Sequence, residues 1–420
     1  MKRVLIVSPH FPPVNAPDMQ RVRMSLPYFA EAGWEATVLT VDDPTPTAPV
    51  EPELLATVPA DVPIVRARCL SRTWTRWLGI GNVALRALPF LFRRGCRLLA
   101  ARRYDVVYFS TTMFTVLPLG RIWRCLYGVP YVIDLQDPWV TDFYARPGAP
   151  PPPGGWKYGF SRSLGSLLEG WTLRRVSQLV TVSAAYGETL RERYPELRHL
   201  PVTELPFGSP DPDLQHVRST LARRPPLLPA GPYRLAFAGA IGPGMLVAVE
   251  VLVAALAELR KSGVAASAHF YGTTYSHRDH DRRVTRNLAD KYGVPDLLHE
   301  SPGRLPYFQA LQVTLEADVN LLFGSQDLAF TPSKLLALLA AGRPILAIAH
   351  GGSALAGRLA ALGQPCVIVE GGTVTPAAVQ ATVARLHSIR QSPAPAAPAS
   401  LSARATAIRQ ATIFAAAAST

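Results

Sequence analysis

The residues best suited to chemistry fall in a few short runs. Thr331-Pro332-Ser333-Lys334 leads into the apolar stretch that follows it, so Thr331, Pro332 and Ser333 read as a capped helix start. Lys334, one of five lysines in a chain that otherwise uses arginine, then stands where a fixed positive charge beside backbone N–H groups meets an anion such as a phosphate. Covering the helix end with its aliphatic stem is the structural alternative. His10 follows the first apolar run and can contact a phosphate or an acceptor group, or bond to its own loop. Asp134 and Asp137 are spaced to orient a hydroxyl or to act as a general base, with loop capping as the alternative. Arg21 points either into a site or to solvent. His277, Asp279, His280 and Asp281 look like metal ligands, but Arg278, Arg282 and Arg283 are interspersed and no second cluster accompanies them; they read as a solvated loop, and no metal is assigned.

The elements that must position these residues alternate. Arg3–Val7, Glu35–Val41, Asp105–Phe109, Tyr131–Asp134 and Gln178–Val182 read as strands, separated by helical stretches such as Asp18–Ala32. A second series runs through Tyr233–Gly239, the helix Leu246–Ser262, Ser267–Tyr271, Ala317–Phe323, Pro344–Ala349 and Cys366–Val369. Such alternation predicts parallel sheets covered by helices, with ligands beyond the carboxyl ends of the strands. The loop after the first strand contains no glycine, and the first glycine of the chain is Gly33. The G-x-G-x-x-G turn of a dinucleotide site is therefore missing, which argues against an NAD-dependent enzyme.

A length of 420 residues at 45.5 kDa, with 48% hydrophobic residues, suits two domains with proper cores. The net charge of +13 and pI near 9.9 point towards anionic partners. Cys69, Cys96, Cys125 and Cys366 are too scattered for a disulfide framework or a zinc site, which fits a reducing cytoplasm. The run Val4–Val7 is too short for a signal-peptide core, and the longest apolar stretches are interrupted by Arg86 and Arg343. Proline-rich breaks fall at 208–232, 146–155 and 392–398. The first reads as an interdomain connection and the second as a surface loop. Beyond the third, Leu401–Ala418 has helical composition and either packs back or frays.

Val62–Tyr104 has ten arginines, among them Arg86, Arg93, Arg94 and Arg97, and no acidic residue. Trp74, Trp77, Leu85, Leu88, Phe90, Leu91 and Phe92 are interleaved with them. A helix here can lay an apolar face at headgroup depth while its arginines meet anionic lipid, or can be a core helix with a basic outer face. Nucleic acid is not assigned as a partner, because no binding module accompanies the charge.

Several of these runs resemble family 4 glycosyltransferases. The Phe11-Pro12-Pro13 loop, Arg21 early in the next helix and Gly33-Trp34 before the second strand are similar to that family's amino-terminal unit, with Asn15 and Ala16 where it usually has glycines. Val129–Trp139, including Asp134 and Asp137, and Leu179–Ser183 are similar to later strands of that unit. Phe237-Ala238-Gly239, Ala317–Leu322 and Thr331–Pro344 resemble the donor half, but Ala329 and Ala337 stand where two glutamates are common. The resemblance implies an α/β GT-B fold, two Rossmann-like doubly wound domains facing a central cleft. It further implies an acceptor-side unit at 1–207, a linker at 208–232, a nucleotide-sugar unit at 233–385 and a tail at 386–420. Asn15, Arg21, Gly239, Thr331, Ser333 and Lys334 would bind the donor, while His10, Asp134 and Asp137 would be catalytic. The expected activity is retaining, metal-free transfer of a sugar from a nucleotide-diphosphate sugar to a lipid-linked or polysaccharide acceptor, without a cofactor, in the cytoplasm and peripherally on the inner membrane face. A non-catalytic relative binding a glycolipid or a partner transferase, and a nucleotide-sugar epimerase, are the alternatives.

Overall fold

The computed structural model describes residues 1–78, 80–141, 156–231, 233–274, 283–328, 330, 332–389 and 396–420. It divides into two compact units, Met1–Gly208 with Ala403–Thr420, and Ser209–Ser402. The loop at 146–155, the histidine-aspartate run at 277–281, Ala329 and Thr331 lie outside the described residues.

The first unit is built on seven strands: β1 Lys2–Val7, β2 Trp34–Val41, β3 Ile64–Ala67, β4 Val106–Ser110, β5 Tyr131–Leu135, β6 Gln178–Thr181 and β7 Val202–Glu204. They pair in parallel in the order β3-β2-β1-β4-β5-β6-β7. Val4, Leu5, Ile6 and Val7 are all buried, because helices cover both faces of the sheet and the usual alternation of polar and apolar residues has nothing to select for. Successive side chains still point to opposite faces. Leu5 and Val7 join a core with Leu91, Leu99 and Trp123, whereas Val4 and Ile6 join Val22, Leu26 and Phe414.

Phe414 belongs to the helix Ala403–Ala417, almost the last residues of the chain. Its ring lies 4.9 Å from Tyr108, 5.4 Å from Trp34 and 5.6 Å from Phe29. The carboxy-terminal segment thus packs, and it packs in the first unit.

The second unit has β8 Arg234–Ala238, β9 Ser267–Tyr271, β10 Leu298–Ser301, β11 Val319–Phe323, β12 Ile345–His350 and β13 Cys366–Val369, in the order β10-β9-β8-β11-β12-β13. The core lies between β8, β11 and the helices Leu246–Lys261 and Pro376–Ile389. In each sheet the strand order reverses once, at β1/β4 and at β8/β11. These are the switch points beyond which doubly wound sheets bind ligands.

Two expectations change. The stretch 208–232 contains the helix Asp211–Thr220, whose acidic first turn and early proline favour a helix start. It is tied into the second unit where Tyr307 donates to buried Asp213 at 2.7 Å and Leu227 and Leu228 N–H donate to Glu316, each at 2.9 Å. It is therefore folded structure, and not a free connection. The tail reading at 386–420 also divides, with residues up to Ser402 in the second unit and Ala403 onwards in the first.

Candidate active site

At the β1/β4 switch point the first unit gathers a polar cluster. Pro17-Asp18-Met19 forms a short turn that feeds the helix Gln20–Phe29. The Asp18 carboxylate faces back to the loop after β1, where its Oδ1 lies 2.9 Å from Nδ1 of His10. Oδ2 of Asp18 accepts from the Thr111 hydroxyl at 2.7 Å and from Thr112 N–H at 3.3 Å, both just beyond β4. Gln136, following β5, donates to the Asp18 carbonyl at 2.9 Å. Two strand ends thereby fix the carboxylate, and a third holds the backbone that carries it.

The side chain of Asp18 is 2% exposed and that of His10 16%. Burial pushes the Asp18 carboxyl up, but the hydrogen bond and charge of His10, together with Thr111 and Thr112, outweigh it and hold the group below the usual carboxylate range. An ionised carboxylate only accepts, so Nδ1 of His10 carries the proton of this bond and Nε2 is the ring nitrogen turned away from Asp18. Among the described residues no partner occupies Nε2. A histidine oriented and electrostatically supported in this way can take or share a proton with a bound hydroxyl.

Asp137 lies on the exposed side of the same cluster. Partial burial of its carboxyl, and then the negative charge of Asp18, push its pKa up. One carboxylate is held down and its neighbour pushed up, a pattern that separates a permanent anion from a group able to exchange a proton.

Asp134 and Arg21 do not join this surface. Asp134 is fully buried and Arg21 nearly so, with Arg21 Nε 2.9 Å from Asp134 Oδ2. Tyr108 and Ser110 donate to the same oxygen at 3.0 and 2.7 Å. Arg21 also donates to the carbonyls of Leu205 and Pro206 and stacks on Phe207. Both charges are consumed beneath the site, so the catalytic role expected for Asp134 and the donor-binding role expected for Arg21 are corrected to an internal ion pair. Ser110 Oγ in turn accepts from Gln136 at 2.9 Å, which links this pair to the backbone under His10. Asn15 is also occupied: it donates to Glu51 at 2.8 Å, accepts from Gln20 at 3.2 Å and is buried. It braces the loop and is no free donor contact.

In the second unit, Gly239 ends β8 at the other switch point, with φ of 152°. Lys334 lies against it. The ammonium donates to the Ala238 carbonyl and sits 4.7 Å from the Phe237 ring centroid. A Cβ on residue 239 would meet the end of the Lys334 side chain, and the positive φ favours glycine there. Burial pushes the lysine down to about 8. No carboxylate pairs with Lys334 among the described residues, leaving a desolvated cation that an anion would stabilise. Ser333 is exposed, and the helix Leu335–Ala341 begins without a side-chain cap, so the expected capped start is corrected for the described residues.

The basic stretch also sorts itself. Arg86 is buried, pairs with Asp43 and donates to the Leu70 carbonyl at 2.7 Å. Its expected membrane contact is corrected to a core ion pair. Arg93, Arg94 and Arg97 are exposed on the helix Val83–Ala101. Among the described residues no group of three or more metal-binding side chains converges, and no helix is long and apolar enough to cross a membrane.

Two parallel sheets with helices on both faces, each with one switch point, make a GT-B-type fold. Residues 20–208 match the family described as a glycosyl transferase 4-like domain. No curated protein matches the sequence. Among solved structures, sucrose-phosphate synthase from Thermosynechococcus elongatus is 14% identical with a TM-score of 0.52, covering 99% of this chain and 96% of its own. HepE from Anabaena, solved in complex with UDP, is 14% identical with a TM-score of 0.53 over 99% and 100%. A UDP-forming α,α-trehalose-phosphate synthase from Burkholderia vietnamiensis is 13% identical with a TM-score of 0.56 over the full length of both. At this identity the likeness is one of fold.

Asp18 is the residue the sequence reading missed. A short acidic residue next to a proline at a helix start reads as helix-dipole compensation, and only its position in the same loop as His10 hints at more.

Proposed function

We propose that the chain transfers a glycosyl group from a nucleotide-diphosphate sugar to a hydroxyl of a lipid-linked or polysaccharide acceptor, with retention of configuration and without a metal. The observation that carries this reading is His10, turned by buried Asp18 so that Nε2 is free at the strand ends of a glycosyl transferase 4-like domain. Support for the donor class comes from the UDP in the HepE complex and from the UDP-forming synthase.

In this reading the acceptor oxygen bonds to the anomeric carbon as the bond from that carbon to the diphosphate oxygen breaks. The hydroxyl proton passes to the departing oxygen on the same face, and charge build-up there is met by the unpaired Lys334. His10 accepts a hydrogen bond from a reacting-sugar hydroxyl and holds it in register. Asp137 orients the acceptor. The four unpaired cysteines agree with action in a reducing cytoplasm.

A nucleotide-binding relative without transferase activity is the second reading, favoured by Ala337 where a ribose-contacting glutamate is common. The test combines calorimetry with nucleoside diphosphates and a diphosphate-release assay over a panel of nucleotide sugars. Release that depends on both donor and His10 supports transfer. Binding without release from any donor supports the second reading, and absence of binding removes both.

A further inference from the structure

The arginine-rich stretch 62–104 separates into a part that the core consumes and a part that it leaves outside. The helix Val83–Ala101 turns Ala84, Ala87, Leu91 and Leu99 into the core, and at Gly95 it comes so close to Trp123 that a Cβ would lie 2.1 Å from the ring. Most of its apolar face is spent on the protein, and Leu85 is the large apolar side chain that it leaves exposed.

The turn before it behaves differently. Ser71 accepts from Thr73 N–H to start the short helix Arg72–Thr75, yet Trp74 is 81% and Trp77 93% exposed, with Leu70 beside them also exposed. Among the described residues no ring or hydrogen-bond partner covers these two tryptophans at i and i+3, although large aromatics normally bury most of their surface. Arg68, Arg72 and Arg76 surround them and are exposed. The nearest acidic residue paired to this region, Asp43, is neutralised by Arg86. The turn is nevertheless built: Thr75 is buried, its N–H donates to the Ser71 carbonyl at 3.2 Å, Leu70 N–H donates to the Arg86 carbonyl at 3.2 Å, and Arg86 returns a bond to the Leu70 carbonyl.

We propose that the Leu70–Trp77 turn docks the first unit on an anionic lipid surface. Indole rings are suited to headgroup depth, where the apolar ring is buried and the N–H stays wet, and guanidinium groups at the same level pair with lipid phosphates. Positive charge with no neighbouring acid selects anionic over zwitterionic lipid. Because Arg86 pins the turn, the tryptophans are presented with little ordering left to do on contact. This inference rests on the surface alone and stands apart from the reaction.

The test is sedimentation of the full chain with sucrose-loaded phosphatidylcholine vesicles, with and without phosphatidylglycerol. Wild type is expected to pellet with the anionic vesicles only, and to be released by added salt. Trp74→Ala with Trp77→Ala is expected to lower the partition coefficient at least about tenfold, and Arg72→Glu with Arg76→Glu to abolish binding. Arg93→Glu with Arg94→Glu, on the helix, should change it far less. Equal pelleting of wild type and the tryptophan variant would overturn the proposal. So would wild type that ignores both vesicle types but self-associates through Trp74 and Trp77 in sedimentation equilibrium, which would assign the turn to a second copy of the chain.

Discussion

Asp134, within β5, and Asp137, just beyond it, stand three residues apart and have opposite fates. Asp134 is inside, sharing its charge with Arg21 and accepting from Tyr108 and Ser110. Asp137 is outside, its proton affinity raised by partial burial and by Asp18. One carboxylate is consumed by an internal ion pair and the other stands exposed. An acidic residue at a strand end is therefore not by itself a catalytic signal; what matters is whether its counter-charge comes from the fold or is still to be supplied. The same contrast separates Arg21, which has a carboxylate beside it, from Lys334, which has only a carbonyl and a ring.

The largest expected effect on this contrast is at the supported histidine. His10→Ala should lower turnover by about 10²-fold in a diphosphate-release assay, an effect larger than the stability it loses by leaving Asp18 without its imidazole partner; Asp18→Asn should follow it in direction. Asp134→Ala should do the reverse. It strands the buried Arg21 guanidinium, so chemical denaturation should show a loss of about 3–5 kcal/mol, whereas Asp137→Asn should alter stability by no more than about 0.5 kcal/mol and act on turnover. For Lys334, whose ammonium titrates at about 8, nucleoside-diphosphate affinity should fall as pH rises through that value, because only the protonated form attracts the anion. Lys334→Met should bind at least about tenfold more weakly and show no such pH dependence by calorimetry. The smallest effect concerns acid stability. Asp18 holds its proton less readily in the folded chain than in the unfolded one, so its contribution is complete above the ordinary carboxylate pKa and is lost as pH falls through the lowered value. Asp18→Asn should flatten that part of the stability profile, read by urea unfolding at a series of acid pH values.

Much of the architecture was legible because central parallel strands announce themselves: Val4–Val7 is an uninterrupted apolar run, and Val319–Phe323 is broken only by Asn320. The strands β3, β7 and β10 were not, since Ile64–Ala67, Val202–Glu204 and Leu298–Ser301 are short edge or near-edge segments with half-exposed side chains that leave no apolar run to detect. At the candidate site His10, Asp137 and Lys334 could be picked out from strand ends and residue type. Arg21, Asn15 and Arg86 could not be sorted, because burial of a charge depends on a partner distant in the chain: Asp134 lies 113 positions from Arg21 and Asp43 lies 43 from Arg86. Asp18 was hidden for the same reason, its meaning resting on Thr111 across the sheet.

The helix that carries Phe414 is synthesised only after the whole second unit, yet it fills the hollow formed by Phe29, Trp34 and Tyr108, and its Gln410 caps the Tyr108 hydroxyl. On the ribosome the first sheet must therefore wait, with that aromatic face uncovered, until the second unit and the helix after it have emerged. A fragment ending near Gly208 would keep the nascent-chain defect permanently and expose a sticky patch, so the two lobes are not interchangeable parts to be expressed one at a time.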